Sequence, residues 1–205
     1  MIEKPQKTSK VIAEIVEDCV EDGAVTVAEF LEKMGHKALS IVILVLSISA
    51  VIAGVIPGFS TLMAVPIMFI AMQMVLGRNT IYLPKNIREK LVSPKHIRGA
   101  LAQSIPTLRW VEKFLRPRLV WLTTGIGERV IAAVILVLAC ILALPIPAGN
   151  FLPSFTISLL ALAMLERDGV LLLLTIGTLF FTGALMVDLI VAAFQYASQL
   201  LQGIF

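Results

Sequence analysis

Two long apolar runs, each cut near its middle by a cluster of Pro and Gly, set the rhythm of this 205-residue chain. No charged residue occurs from Ala38 to Gly77, a run interrupted at Val55-Ile56-Pro57-Gly58-Phe59-Ser60-Thr61. The pattern returns from Val130 to Leu165, interrupted at Leu144-Pro145-Ile146-Pro147-Ala148-Gly149-Asn150. A third run, Gly169 to the end, carries Asp188 as its single charge. Each run exceeds the roughly 18 apolar residues that license a membrane span. Ala38 to Ile56 predicts a helix about 28 Å long, nearly one crossing. Leu62 to Leu76, containing Pro66 and Gln73, predicts a returning helix that stops at Gly77-Arg78-Asn79. In the second half, Arg129 to Leu144 and Pro153 to Leu165 repeat that outline and end at Glu166-Arg167-Asp168-Gly169. The last run fits one crossing with a tail or two shorter helical pieces. The interruptions themselves admit two readings. Inside a bilayer, broken backbone survives only where protein or trapped water supplies partners, so paired breaks mark a site. At the membrane surface, the same residues make plain hairpin turns.

Outside these runs the periodicity predicts shorter, amphipathic pieces. Val11, Ile12, Ile15, Val16 and Cys19 fall on one helical face, with Glu14, Glu17 and Asp18 opposite. Thr26 and Glu29 form a capping-box pattern and Gly35 a stop, giving a second short helix. Residues 1–36 therefore read as a polar cytoplasmic arm without a cleavable signal, so the first span must direct insertion. Between the halves, Pro84, Pro94, Pro106 and Pro117 punctuate a basic linker, where Ile97, Leu101, Ile105 and Leu108 recur among cations as in helices lying on a membrane.

Composition turns this pattern into a class. With 58% hydrophobic residues and a mean hydropathy of +0.94, against about 45–50% apolar in soluble domains, the chain is expected to be an all-α integral membrane protein. The net charge of +3 hides an asymmetry: Arg78 through Arg129 hold eleven Lys or Arg against Glu89, Glu112 and Glu128. The positive-inside rule makes that loop cytoplasmic, with the N-terminus on the same side. Anionic lipid explains the basic linker better than nucleic acid does, with Arg109, Arg116 and Arg118 at the head groups. Cys19 and Cys140, like His36 and His96, are isolated, so neither a metal nor a cofactor is expected. No phosphate loop, nucleophile elbow or fixed carboxylate pair is present, which argues against an enzyme.

The halves share an order of landmarks: Gly35 and Lys37 against Gly127 and Arg129, Val42 to Leu46 against an identical Val134 to Leu138, then Pro57 against Pro147. Arg78 corresponds to Arg167 and Asn79 to Asp168. The expected architecture is two repeated helix–Pro/Gly break–helix hairpins, 37–79 and 129–168, joined by basic interfacial helices over 80–128 and followed by a C-terminal helical segment, 169–205. Repeated broken helices are a transporter signature, with substrate where the breaks converge. The candidate substrate residues are Pro57, Gly58, Ser60, Thr61, Gln73, Arg78, Pro147, Gly149, Asn150, Arg167 and Asp168. Two related guanidinium groups can clamp one anion, though either Arg alone also serves as a positive-inside anchor. Gln73 fits interhelical glue as well as a ligand contact. Asp188 is a proton-relay candidate if the last helix runs from about 178 to 198, and a solvated interfacial acid if that helix begins near Gly169.

The motifs Gln73-x-x-x-Gly77-Arg78, Tyr82-Leu83-Pro84, Glu112-x-x-x-Arg116-Pro117-Arg118, Leu144-Pro145-Ile146-Pro147 and Glu166-Arg167-Asp168-Gly169 together resemble the ExoD family of bacterial exopolysaccharide-synthesis membrane proteins. The resemblance covers roughly residues 25–190 and departs from the family at the first break and at Tyr82. It implies an inner-membrane protein tied to exopolysaccharide production and supplies no reaction. The reading that follows is a small translocator of an anionic substrate, with a lipid-linked phosphate as its specific version and a soluble anion or amino-acid exporter equally permitted by the residues; a homodimer is expected from the small number of helices. The competing class is a non-transporting accessory subunit of a polysaccharide synthesis complex.

Overall fold

The computed structural model describes residues 25–26, 29, 37–52, 59–78, 82, 91–92, 115, 117–144 and 149–204. Five helices carry the described fold: α1 (Lys37–Ile52), α2 (Phe59–Val75), α3 (Ile126–Leu142), α4 (Phe151–Leu165) and α5 (Gly169–Ile204). A 3₁₀ turn, Val120–Thr123, leads into α3. The helical expectation holds throughout this part, with one addition. Two two-residue strands, β1 (Val25–Thr26) and β2 (Leu91–Val92), pair antiparallel, joining the N-terminal arm to the basic linker. The amphipathic helix expected over 11–19, the linker helices and the breaks at 53–58 and 145–148 lie outside the described residues.

The first four helices close into a ring. α1 packs chiefly against α4 and α2 against α3, with α1 on α2 and α3 on α4 completing the circuit; α5 lies outside, against α4. The helices are uncharged along most of their length, so no polar stripe decides which faces turn inward; small residues do. Ala50, Ala64, Ala71, Ala132, Ala139 and Ala161 are fully buried and let Ile43, Ile67, Ile135, Leu142 and Ile157 pack between the backbones. The outer surface keeps Leu62, Val65, Phe69 and Met72 on α2, Val130 and Val137 on α3, and Leu174, Phe180 and Phe181 on α5.

Lengths separate the helices into two kinds. α1 to α4 contain 16, 17, 17 and 15 residues, about 22–26 Å each. All four fall short of a hydrocarbon core of about 30 Å. α5 has 36 residues, and its stretch Gly169–Leu189 is the one described helix segment long and apolar enough to cross a membrane. Of the two outlines open for the last run, the chain takes the single unbroken helix.

Neighbours in the ring run antiparallel. Ser47 of α1 meets Ser158 of α4 midway along both helices, while Lys37 and Ser40 at the start of α1 lie beside Met164 and Leu165 at the end of α4. The bundle therefore has two chemically distinct ends. One gathers Lys37, Arg78, Arg118, Arg129 and Arg167. The other carries the helix ends that flank the two interruptions.

Candidate functional site

At the basic end, the helix that carries Gln73 and the one that carries Arg167 stop in the same way. Arg78 N–H donates to Gln73 O at 3.0 Å and Asp168 N–H to Ala163 O at 3.0 Å, while Gly77 N–H and Arg167 N–H reach back to Met74 O and Met164 O. These are paired six-to-one and five-to-two bonds, which require a left-handed residue at the helix end. Gly77 supplies it with φ +73°, and Arg167 with φ +52°. The structural counterpart of Arg167 is thus Gly77, and that of Asp168 is Arg78. The correspondence expected between Arg78 and Arg167 is off by one, because charge was matched where backbone conformation sets the register.

Behind each stop, the following chain is tied down differently. After α2, the Gln73 side chain reads the backbone of Tyr82: Tyr82 N–H donates to Gln73 Oε1 at 2.7 Å, and Gln73 Nε2 lies 3.5 Å from Tyr82 O. The Arg78 guanidinium sits 6.0 Å from the centre of the Tyr82 ring, within cation–π reach. Gln73 therefore ties the backbone of Tyr82 to α2. After α4, Asp168 caps α5, its Oδ1 accepting from Val170 N–H at 2.9 Å and Leu171 N–H at 3.2 Å. Gly169 N–H donates to Arg118 O at 2.7 Å, and a parallel bridge joins Arg118 to Asp168. A Cβ on Gly169 would lie 2.6 Å from Leu119 Cβ and 2.9 Å from Leu119 O, so glycine alone permits this contact. The Arg-Pro-Arg and Glu-Arg-Asp-Gly motifs are two sides of one joint.

At the opposite end, the interruptions leave polar groups without partners. Ser60 is buried at the start of α2, and Thr61 Oγ1 beside it makes no hydrogen bond. Gly149 and Asn150 are buried at the start of α4, where Asn150 Oδ1 likewise has no partner. From Asn150 a hydroxyl chain runs into the bundle: Ser154 Oγ donates to Asn150 O at 2.7 Å, and Ser158 Oγ lies 2.9 Å from Ser154 O and 3.0 Å from Ser47 Oγ. Thr156 and Thr182 pair at 3.0 Å between α4 and α5. This hydroxyl track has no charge to reveal it in the sequence; the one signal is small polar residues at four-residue spacing, 150, 154 and 158.

The candidate substrate residues consequently divide. Ser60, Thr61, Gly149 and Asn150 gather at the interrupted end; Gln73, Arg78, Arg167 and Asp168 gather at the basic end, a helix length of more than 20 Å away. Pro57, Gly58 and Pro147, with Arg109 and Arg116, lie outside the described residues; Arg118 is exposed at the joint. Asp188 lies about 28 Å along α5 from Gly169 and is exposed, at the far end of the apolar stretch.

The chain matches the profile of the family described as "Exopolysaccharide synthesis, ExoD" over residues 8–188. It belongs to the ExoD family. Among curated relatives, this ExoD protein is 28% identical over 174 residues to an uncharacterized protein of Synechocystis sp., a match covering 83% of this chain and 81% of that one. It is 27% identical over 156 residues to Protein ExoD of Rhizobium meliloti, covering 74% of this chain and 65% of that protein. No solved structure matches it. The family association ties the protein to exopolysaccharide synthesis.

Proposed function

We propose that this ExoD protein is a multi-pass inner-membrane translocator of an anionic substrate of the lipid-linked phosphate class, acting in exopolysaccharide synthesis without a chemical step of its own. Two copies of one helix–break–helix hairpin form the pathway. The identical way in which α2 and α4 end supports that repeat. Helices α1 to α4 are shorter than the hydrocarbon core, so hairpins entering from the basic, cytoplasmic side reach their breaks before leaving the membrane. The apolar outer faces of α2, α3 and α5 suit lipid as a neighbour.

The observation that carries the reading is the pair of orphaned side-chain oxygens, Thr61 Oγ1 and Asn150 Oδ1. Each lies at the start of a helix whose positive dipole end faces the same end of the bundle. Burying a polar group without a partner costs about 1–3 kcal/mol; a passing phosphate recovers it by accepting from the Thr61 hydroxyl and by donating a protonated phosphoryl oxygen to Asn150 Oδ1. The test is movement of a fluorescent short-chain polyprenyl phosphate across proteoliposomes, read by dithionite quenching. Asn150→Ala and Thr61→Ala should each slow it by about tenfold, while Asn150→Ala leaves the thermal midpoint level or higher.

A second reading has its own support. The family motifs meet at the basic end, in the Arg118–Asp168 joint and the Gln73–Tyr82 tether, as expected of an accessory subunit that docks a polysaccharide synthase there. Wild-type lipid movement in both variants, together with loss of polymer in cells on disrupting that joint, would replace the translocator with the accessory subunit.

A further inference from the structure

The basic end contains a cavity that neither reading uses. It lies where the start of α1, the end of α4 and the entry to α3 meet, and is lined by Lys37, Ser40, Thr123, Thr124, Glu128 and Arg167 together with the apolar floor of Met164 and Leu165. Its volume is about 30 Å³, room for about two water-sized groups such as oxygen atoms. We propose that this cavity, bounded by Lys37, Ser40 and Arg167, binds the oxygens of a phosphoryl group.

Three features converge on that ligand. Two cations line one cavity with a single carboxylate, Glu128, so the walls carry a net positive charge. Ser40 lines it as well, is 5% exposed, and makes no hydrogen bond among the described residues. Its hydroxyl opens onto the cavity, where it can donate to a ligand oxygen. Arg167, finally, holds the left-handed conformation at the helix end, where glycine is the unstrained choice and where α2 has Gly77. A side chain kept at a strained backbone position points to a use for that side chain. The first turn of α1, Lys37 to Ser40, adds the positive end of a helix dipole. An arginine fork, an ammonium and a hydroxyl are the donor types that recognise phosphoryl oxygens.

The same chemistry is offered by a phospholipid head group in the cytoplasmic leaflet and by free phosphate. The full-length purified protein distinguishes them. Thermal unfolding in detergent is followed with inorganic phosphate against equal ionic strength of chloride, and binding is measured in nanodiscs of phosphatidylcholine with and without phosphatidic acid. A phosphate-specific rise in midpoint assigns the free anion. A response confined to phosphatidic acid assigns the head group. No response to either overturns the proposal. Arg167→Gly is the decisive variant, because glycine suits the backbone and the fold survives; the bound anion should weaken by about tenfold or more. Lys37→Gln should act alike, Ser40→Ala less, and Glu128→Gln should tighten binding. Retention of wild-type affinity by folded Arg167→Gly refutes the site. Because the cavity lies at the opposite end from Asn150, a failed lipid-movement assay leaves this result intact, and the reverse.

Discussion

The two corners of the basic end are built on one plan and finished differently. At each, a helix ends in a left-handed residue beside a cation at the start of an antiparallel neighbour. Where α2 meets α3 the left-handed residue is Gly77, and Arg129 lies over it so closely that a Cβ there would come within 2.5 Å of Nη2. The guanidinium fills the corner and faces the negative end of α2. Where α4 meets α1 the left-handed residue is Arg167, its neighbour is Lys37, and a cavity takes the place of the filled contact. The difference teaches that identical hydrogen bonding at a helix end serves packing or binding according to one side chain. With glycine the corner closes around its own cation. With arginine it stays open, lined by Lys37 and Arg167 with Glu128.

Substitutions at these corners test the contrast, from the largest effect to the smallest. Gly77→Ala places a Cβ in the left-handed region and pushes aside the end of the Arg129 side chain, and should cost about 1–2 kcal/mol, read as a lowered unfolding midpoint in detergent. Gln73→Ala removes the tether to Tyr82 from a buried site and should cost about 1–2 kcal/mol, with increased proteolysis near residue 82. Asp168→Ala removes the cap of α5 at the other corner and should cost about 1 kcal/mol. Arg167→Gly should reverse the sign, gaining about 0.5–1 kcal/mol as relief of the left-handed penalty exceeds the added chain entropy. Destabilisation by Arg167→Gly comparable to that of Gly77→Ala would make the corners alike and remove the contrast.

The interrupted end obeys the opposite economy. Asn150 and Thr61 hold buried oxygens with no partner, whereas Asp168 Oδ1 at the basic end caps α5. Removing an unpaired acceptor relieves desolvation, so Asn150→Ala should hold or raise stability while impairing function, a trade expected of a working site. Asp168→Ala should do the reverse.

Much was legible along the chain. Uncharged runs announced the helices, Pro and Gly announced where they stop, and five short motifs announced the family, because each is a local matter of backbone freedom and apolar length. The hairpin arms follow the expected outline within a few residues, with α1 ending at Ile52 and α3 starting at Ile126. Pairing across the bundle was not legible. Nearly uniform apolar faces on α1, α2 and α4 give no periodic stripe to say that α1 meets α4 and α2 meets α3, and charge alone drew Arg78 and Arg167 together although backbone conformation sets Gly77 opposite Arg167. Sequence by itself determined helix content, the interruptions, the basic end and the ExoD family. Only the tertiary structure decided that the interruptions and the arginines lie a helix length apart, and that Lys37, Ser40 and Arg167, far apart in the chain, line one cavity. The physical reason is that length and charge are properties of segments, whereas which small residues let two backbones approach is a property of the packed whole.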